Sequence, residues 1–406
     1  MPRYSSLTAV TVTLAICLIV PALTFAQGAN QKTSPIDVLY LVTQRTTQTS
    51  TIQTYNVDPS YGDAILYGTL TVPASASSYQ MFVPGADDHY IYFFCACGAE
   101  GMVLHVYATD SNGAPQDPPI QTVQFQAGLS PFVIDPDGTL AYATQLLPGS
   151  SQKPEFGIRA FELNPKTGIV TISPSLSAVT SPPTDGLCNP GNTFADPSFS
   201  LVGFNLGATQ LIDVWGCQGH DDSAYYYYTQ TVNQQSGALG PQVATVGAGS
   251  SEGEYSRVTF TPTAIFSFDN QGYEGSANEL YVYWPNATLD FSCTYTLLDA
   301  CSYSNGIMTD RTGRFIFFNT YTGGIEVTRV NMNKKTIEPV GIPLADPIVS
   351  FSLDDRLIYS SPVLSWNGRY VMPVYVFNPS TGLVTDNGEA ITMPSEYSSF
   401  IPSLRY

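Results

Sequence analysis

One short turn recurs along this chain of 406 residues, and its spacing limits the fold more than any other feature. Its fullest form is Asn164-Pro165-Lys166-Thr167-Gly168, repeated as Asn378-Pro379-Ser380-Thr381-Gly382. Proline presets the backbone at an early turn position and glycine admits a positive φ at the end, so the motif has a mechanism. Looser versions run from Asp58 to Gly62, Asp110 to Gly113, Asn233 to Gly237 and Asn331 to Lys335. Their last residues, 62, 113, 168, 237, 335 and 382, stand 51, 55, 69, 98 and 47 residues apart. The step of 98 is twice 49, which predicts a hidden unit near residue 286. Pro285-Asn286-Ala287 is there, between the strand-like runs ELYVYW (279–284) and TLDFSCTYTL (288–297).

One unit can be read in full between Ser130 and Thr171. Phe132 to Ile134 is a short apolar run stopped by Asp135-Pro136-Asp137-Gly138, and Leu140 to Thr144 follows as a second strand. A polar loop from Leu147 to Glu155 leads to Ile158–Leu163, then the Gly168 turn and a fourth strand from Ile169. Four strands joined by two tight turns and one long loop make an antiparallel meander. A four-strand unit repeated at about 50 residues is the signature of a β-propeller. No convincing amphipathic helix separates the strands, as a TIM barrel or doubly wound fold would need. An all-β sandwich would not require seven similar units.

The expectation is therefore an all-β, seven-bladed β-propeller of four-stranded antiparallel blades over residues 36–406. The first unit has only three strands (38–43, 52–57 and 64–72), whereas Phe400 to Tyr406 follows a completed last unit. The C-terminal strand should thus close the first blade, which removes exposed strand edges.

Residues 1–26 read as a secretory signal peptide. Arg3 supplies the positive end, Ala9 to Leu23 the apolar stretch, and Thr24-Phe25-Ala26 a small-residue cleavage pattern. Residues 27–35 read as a loose polar segment, and no later run is apolar enough to span a membrane. A secreted, periplasmic or cell-surface location follows. The net charge of −18 argues against nucleic acid and anionic membrane surfaces as partners and leaves room for cations. Six cysteines remain after the leader, Cys95, Cys97, Cys188, Cys217, Cys293 and Cys301. In an exported chain they suggest disulfides, with 15 pairings open. Cys188–Cys217 and Cys293–Cys301 are the shortest closures outside the Cys95-Ala96-Cys97 pair.

Two turn motifs carry a resemblance. The pairing of Asp135 to Gly138 with Phe161 to Gly168, echoed in part by Asp310 to Gly313 and Val376 to Gly382, resembles the seven-bladed lactonase-type propellers, including 6-phosphogluconolactonase-like proteins. It covers most of the mature chain as a blade pattern. The resemblance implies the fold and, as an activity, hydrolysis of a sugar-type lactone; no stretch here matches a catalytic motif of that family.

In a four-stranded meander, the first-to-second and third-to-fourth connections share one face. The longer second-to-third and blade-to-blade loops share the other, where function usually sits. On that second face His220, Asp221 and Asp222 fall in one loop, Glu252 and Glu254 in the next connection, and Asp269 and Glu274 in the loop after that. Asp221, Asp222, Glu252 and Glu254 could hold a divalent cation such as calcium, which takes several carboxylate oxygens. Solvated acidic loops are the competing reading. His220 beside Asp222 could act as a general base for lactone hydrolysis. His89 belongs to the opposite face, and His105 sits within a strand as a packing or edge-facing residue. The tyrosine run Tyr225 to Tyr228 suits packing between blades better than sugar stacking. Asn286-Ala287-Thr288 is a glycosylation sequon. There is no GxSxG, HExxH or P-loop pattern.

Two functions are left by this reading. The first, favoured because no complete acid/base set can be identified, is a non-catalytic binding or scaffold propeller whose loop-rich face holds a protein, glycan or small molecule. The second is a lactonase-like hydrolase working at the mouth of the central channel.

Overall fold

The computed structural model describes residues 36–405 apart from 45–48, 59–61, 74–78, 83–88, 99–100, 126–128, 130–131, 136–137, 148–154, 183–195, 205–208, 219–222, 251–256, 261–264, 270–278, 284–290, 297–306, 311, 320–324, 332, 335, 345–347, 353–355 and 394–398. Of the described residues between 244 and 307, only the backbone course is given.

The strands run in chain order through successive antiparallel sheets. The first sheet holds β1 (Ile36–Gln44), β2 (Ser50–Val57) and β3 (Ala64–Val72). The second holds β4 (Tyr79–Phe82), β5 (Tyr90–Gly98), β6 (Gly101–Ala108) and β7 (Gln121–Gln124). The third holds β8 (Val133–Ile134), β9 (Leu140–Leu146), β10 (Phe156–Leu163), β11 (Val170–Ile172) and β12 (Ala178–Thr180). The fourth is β13 (Asp196–Phe204), β14 (Gln210–Gln218), β15 (Ser223–Thr231) and β16 (Val243–Ser250). The fifth is β17 (Arg257–Phe260), β18 (Ile265–Asp269), β19 (Glu279–Tyr283) and β20 (Phe291–Thr296). The sixth is β21 (Ile307–Thr309), β22 (Phe315–Asn319), β23 (Ile325–Asn331) and β24 (Thr336–Leu344). The seventh is β25 (Ile348–Phe351), β26 (Leu357–Ser360), β27 (Val363–Leu364), β28 (Tyr370–Asn378) and β29 (Leu383–Met393). The last strand, β30 (Ser399–Arg405), returns to pair with β1, setting Ile36 opposite Arg405 and Val42 opposite Ser399. The N-terminal sheet is thus completed by the C-terminal strand.

Two of these sheets count five strands where four were expected, and proline explains both. In the third sheet, β11 pairs with the end of β10 and β12 with its start, so the two segments share one position. The break between them contains Pro174, which cannot donate to a ladder. In the seventh sheet, β26 and β27 both pair with β28, with Pro362 between them.

The core lies between sheets, and alternation along the second strands divides it. From β1, Val38, Tyr40 and Val42 pack against Ile91, Phe93 and Cys95 of the second sheet. Leu39 and Leu41 point the other way, onto Leu357, Tyr359 and Val374 of the seventh. Tyr92 and Phe94 meet Ala141, Ala143 and Phe161 of the third sheet. Leu140 and Tyr142 meet Leu211 and Trp215 of the fourth. Phe315 and Phe317 of the sixth sheet meet Phe351 and Phe377 of the seventh. A strand buried on both sides by neighbouring sheets reads as continuously apolar, as YIYFFC and LAYAT do. Among the first strands, β8 lies against β13, β17 against β21 and β25 against β30. This is the arrangement of an all-β β-propeller.

The recurring turn has a structural purpose in that ring. Asn164, Asn233 and Asn378 each accept two backbone N–H groups on the side-chain oxygen, and each main-chain carbonyl accepts the turn glycine's N–H at 2.7, 2.8 and 2.8 Å. Gly168, Gly237 and Gly382 sit at φ of 69°, 66° and 81°, the left-handed region that glycine adopts at least cost. Four of the recurring turns also dock on an aromatic residue of the preceding sheet, whereas Gly62 faces Val374. Tyr40 donates its hydroxyl to Gly113 O (2.8 Å), Tyr90 to Lys166 O (2.8 Å) and Tyr142 to Gly237 O (3.0 Å). Phe315 fills the same role against Gly382; it has no hydroxyl, and Arg329 Nη2 donates instead to Thr381 O at 2.7 Å. The repeat therefore encodes contacts between sheets as well as turns within them.

Candidate functional site

In the fourth sheet the Gly237 turn and the connection from β14 leave opposite ends of β15, which fixes where the predicted acidic loop is anchored. Gln218 at the end of β14 pairs with Ser223 at the start of β15, and Ser223 pairs with Ser250 at the end of β16. Connections 219–222 and 251–256 therefore leave one edge of one sheet. Asp269 closes β18 and pairs with Glu279. His220, Asp221, Asp222, Glu252, Glu254 and Glu274, with the side chain of Asp269, lie outside the described residues. So do Cys188, Cys301, the side chain of Cys293, the sequon at Asn286 and residues 1–35. Cys217 is buried and disulfide-bonded to a cysteine that is not among the described side chains. Of the tyrosine run, Tyr227 is buried, while Tyr226 and Tyr228 pack partly buried against the cluster between the third and fourth sheets.

Two chemical clusters stand on the described residues, and the sequence reading assigned neither. The first joins Cys95, Cys97 and His105 on β5 and β6. Cys95 and Cys97 form a disulfide with Cα atoms 5.2 Å apart. The ladder between β5 and β6 is interrupted between Cys95 and Gly98, and a bulge of this kind re-aims side chains. Cys95 is buried in the core shared with the first sheet, whereas Cys97 is exposed. His105 Nε2 lies 3.9 Å from Cys97 Sγ, and its Nδ1 lies 3.1 Å from Thr122 Oγ1 on β7. Burial lowers the imidazole's pKa from its ordinary value. His105, expected as a packing or edge-facing strand residue, is the neighbour of the sulfur pair. The one available signal was the CxC spacing, since a strand register has to be known before His105 can be placed opposite Phe93.

The second cluster surrounds Asp213, buried in β14 between Leu211 and Trp215 on the flank facing the third sheet. Gln230 Nε2 donates to its Oδ2 at 2.6 Å and Gln242 Nε2 to its Oδ1 at 2.9 Å. Thr180 Oγ1 donates to Gln242 Oε1 at 2.7 Å, and Trp215 Nε1 donates to Thr180 Oγ1 at 3.2 Å. The relay thus ties β12 of the third sheet to β14 and β15 of the fourth. Burial pushes the Asp213 carboxyl up to about 7, against the lowering effect of the two amide donors. A lone acid in the apolar run QLIDVWGC was the sequence signal for it.

No family model matches the chain, and no curated protein matches it. Solved structures do. A candidate 6-phosphogluconolactonase from Bacteroides fragilis superposes with a TM-score of 0.57 at 14% identity, covering 92% of this chain and 99% of its own. The periplasmic gluconolactonase PpgL of Pseudomonas aeruginosa gives a TM-score of 0.55 at 14% identity, with 91% and 99% covered. The fold is the propeller these proteins share. A hypothetical selenium-binding protein from Sulfolobus tokodaii also superposes, with a TM-score of 0.55 at 12% identity over 92% of this chain and 94% of its own. At these identities the likeness speaks for architecture, and proteins of different description share it.

Proposed function

We propose that this chain is an exported, lactonase-like hydrolase that opens a sugar-type lactone at the mouth of the central channel. The observation that supports it is the likeness to the two lactonase-type propellers along nine tenths of the chain and nearly all of theirs. The binding or scaffold reading has no observation of its own and becomes the outcome if catalysis is absent. On this proposal the sheets are seven blades around one channel, with residues 1–26 removed on export to the periplasm or beyond.

The working groups belong to the loop-bearing face of the fourth and fifth sheets. His220 takes the proton of a water molecule attacking the lactone carbonyl, Asp222 orients the imidazole, and the acyl–oxygen bond breaks as the imidazolium returns that proton to the ring oxygen, which leaves as the hydroxyl of the product acid. Asp221 and Glu252, with Asp222 and Glu254, are the carboxylates available to a calcium-like ion that would fix the substrate's hydroxyl groups. Cys188–Cys217 and Cys293–Cys301 complete the disulfide set beside Cys95–Cys97.

The test is a comparison of the mature chain with His220→Ala and Asp222→Ala on aldonic-acid lactones, with added calcium and with a chelator. Both variants should lose more than about 100-fold, the usual contribution of a general base, while the wild type turns over. Variants that hydrolyse lactone as fast as the wild type would remove these residues from the mechanism.

A further inference from the structure

The Cys95–Cys97–His105 cluster lies in the second sheet, and the lactonase reading makes no use of it. Its ligand atoms, the two Sγ and an imidazole nitrogen, all lie within 4.8 Å of one another. We propose that this cluster is a redox-gated site for a thiophilic metal ion of the zinc class. It is closed while the disulfide stands and becomes competent when the disulfide is reduced.

Three features carry the proposal. The first is the donor set. Two thiolates and an imidazole are the soft and borderline ligands that select zinc or cuprous ions over calcium or magnesium. The second is spacing. Zn–S bonds of about 2.3 Å and Zn–N bonds of about 2.0–2.1 Å in a tetrahedron place sulfur and nitrogen about 3.6 Å apart. Cys97 Sγ and His105 Nε2 already stand 3.9 Å apart. The third is the outer contact. Metal-binding histidines characteristically engage their second ring nitrogen with a neighbouring group, which fixes the tautomer. Here Nδ1 meets Thr122 Oγ1 at 3.1 Å, so an N–H donated there leaves the Nε2 lone pair facing the sulfur. Exposure of Cys97 leaves a fourth position for water, while buried Cys95 anchors the site to the core.

The chemistry balances without a hidden partner. A dithiol reductant transfers two electrons and two protons to the disulfide, becomes a disulfide itself and leaves two thiols. A divalent ion then displaces the two thiol protons and is bound by two thiolates, Nε2 and water. With the disulfide intact no thiolate is available, so the oxidised site holds no ion.

The experiment uses the full mature chain, oxidised and reduced with a phosphine under anaerobic conditions. Alkylation and mass spectrometry establish that Cys95 and Cys97 are free in the reduced sample. Zinc is titrated against a chromophoric chelator, and cobalt(II) serves as a spectroscopic probe of thiolate ligation. The reduced protein should take up one ion more than the oxidised protein, with a thiolate-to-cobalt absorption band that the oxidised protein lacks. Loss of outer contacts alone costs about 10- to 100-fold in affinity, so Cys97→Ser and His105→Gln should each weaken zinc by more than about tenfold. Cys97 is exposed and His105 only half buried, so both variants should fold, and the thermal transition of the oxidised His105→Gln protein serves as the control. The proposal is overturned if reduced wild-type protein binds no zinc, or binds it as tightly in both variants. The latter outcome would assign the ion to the thiols released elsewhere, Cys217 included.

Discussion

Asparagine in place of Asp213 keeps the shape of the side chain and removes its proton equilibrium. The carboxyl is buried and raised from 3.8 to about 7. In the unfolded chain it titrates near the ordinary aspartate value of about 3.9. The folded value is the higher one, so its contribution to stability is complete below the unfolded value and is lost as pH rises to the folded one. Across that window the folded state holds one more proton than the unfolded state. A rise from about 3.9 to about 7, at about 1.4 kcal/mol for each tenfold change in proton affinity, makes the difference about 4 kcal/mol. The asparagine variant has an offset of its own, because the amide of Gln230 or Gln242 must turn to present its oxygen to the new NH2 group. That offset does not change with pH. The assay is urea denaturation of both proteins from about pH 4 to about pH 8, taking the difference between their unfolding free energies at each pH. The variant should gain about 4 kcal/mol on the wild type across the range, with most of the change below about pH 7. Parallel curves would show that Asp213 is charged and satisfied at all these pH values, and would refute the reasoning.

The turn glycines and the ring closure allow sharper structural tests. Gly168→Ala must hold an alanine at φ 69° with its Cβ driven into the Tyr90 ring; the backbone alone costs about 1–2 kcal/mol, and thermal unfolding should show at least that loss. Tyr142→Phe removes only the hydroxyl donated to Gly237 O, so the same measurement should register about 1 kcal/mol. Equal effects from the two would contradict the account of the turn. Deleting residues 399–406 takes away the strand paired with β1 and exposes its edge, so Tm should fall by more than about 5 °C and self-association should appear in sedimentation. A monomer with unchanged Tm would contradict closure by β30.

Much of this architecture was legible because the repeat is written in turns. Asn164 to Gly168 and Asn378 to Gly382 have the residues their hydrogen bonds require, so the motif could be recognised without knowing the fold. The unit near residue 286 was recoverable from spacing alone, and its flanking runs pair as β19 and β20. The interrupted positions were not legible. Nothing in Ser173 to Ser177 or Ser361-Pro362 signals that β12 and β27 resume the same position after the proline. Whether a strand resumes depends on its neighbour's length, which local sequence does not contain. The chemistry was less legible than the fold for the same reason. Cys97 and His105 are brought together by the β5–β6 register and its bulge. Asp213 meets Gln230 through pairing of β14 with β15, and Gln242 and Thr180 across two sheets. The residues singled out from the loops, His220 to Asp222, Glu252 and Glu254, lie outside the described residues and stay with the proposed function.

The central claim is catalytic, and the most direct measurement of it is acid release in a pH-stat from the lactone of an aldonic acid, with the mature protein added to an otherwise spontaneous hydrolysis. The account predicts a rate above the buffer rate that rises in proportion to protein and saturates with lactone. A rate equal to buffer at every protein concentration, for a panel of sugar lactones and with calcium present, would contradict it and return the propeller to the class of binding modules.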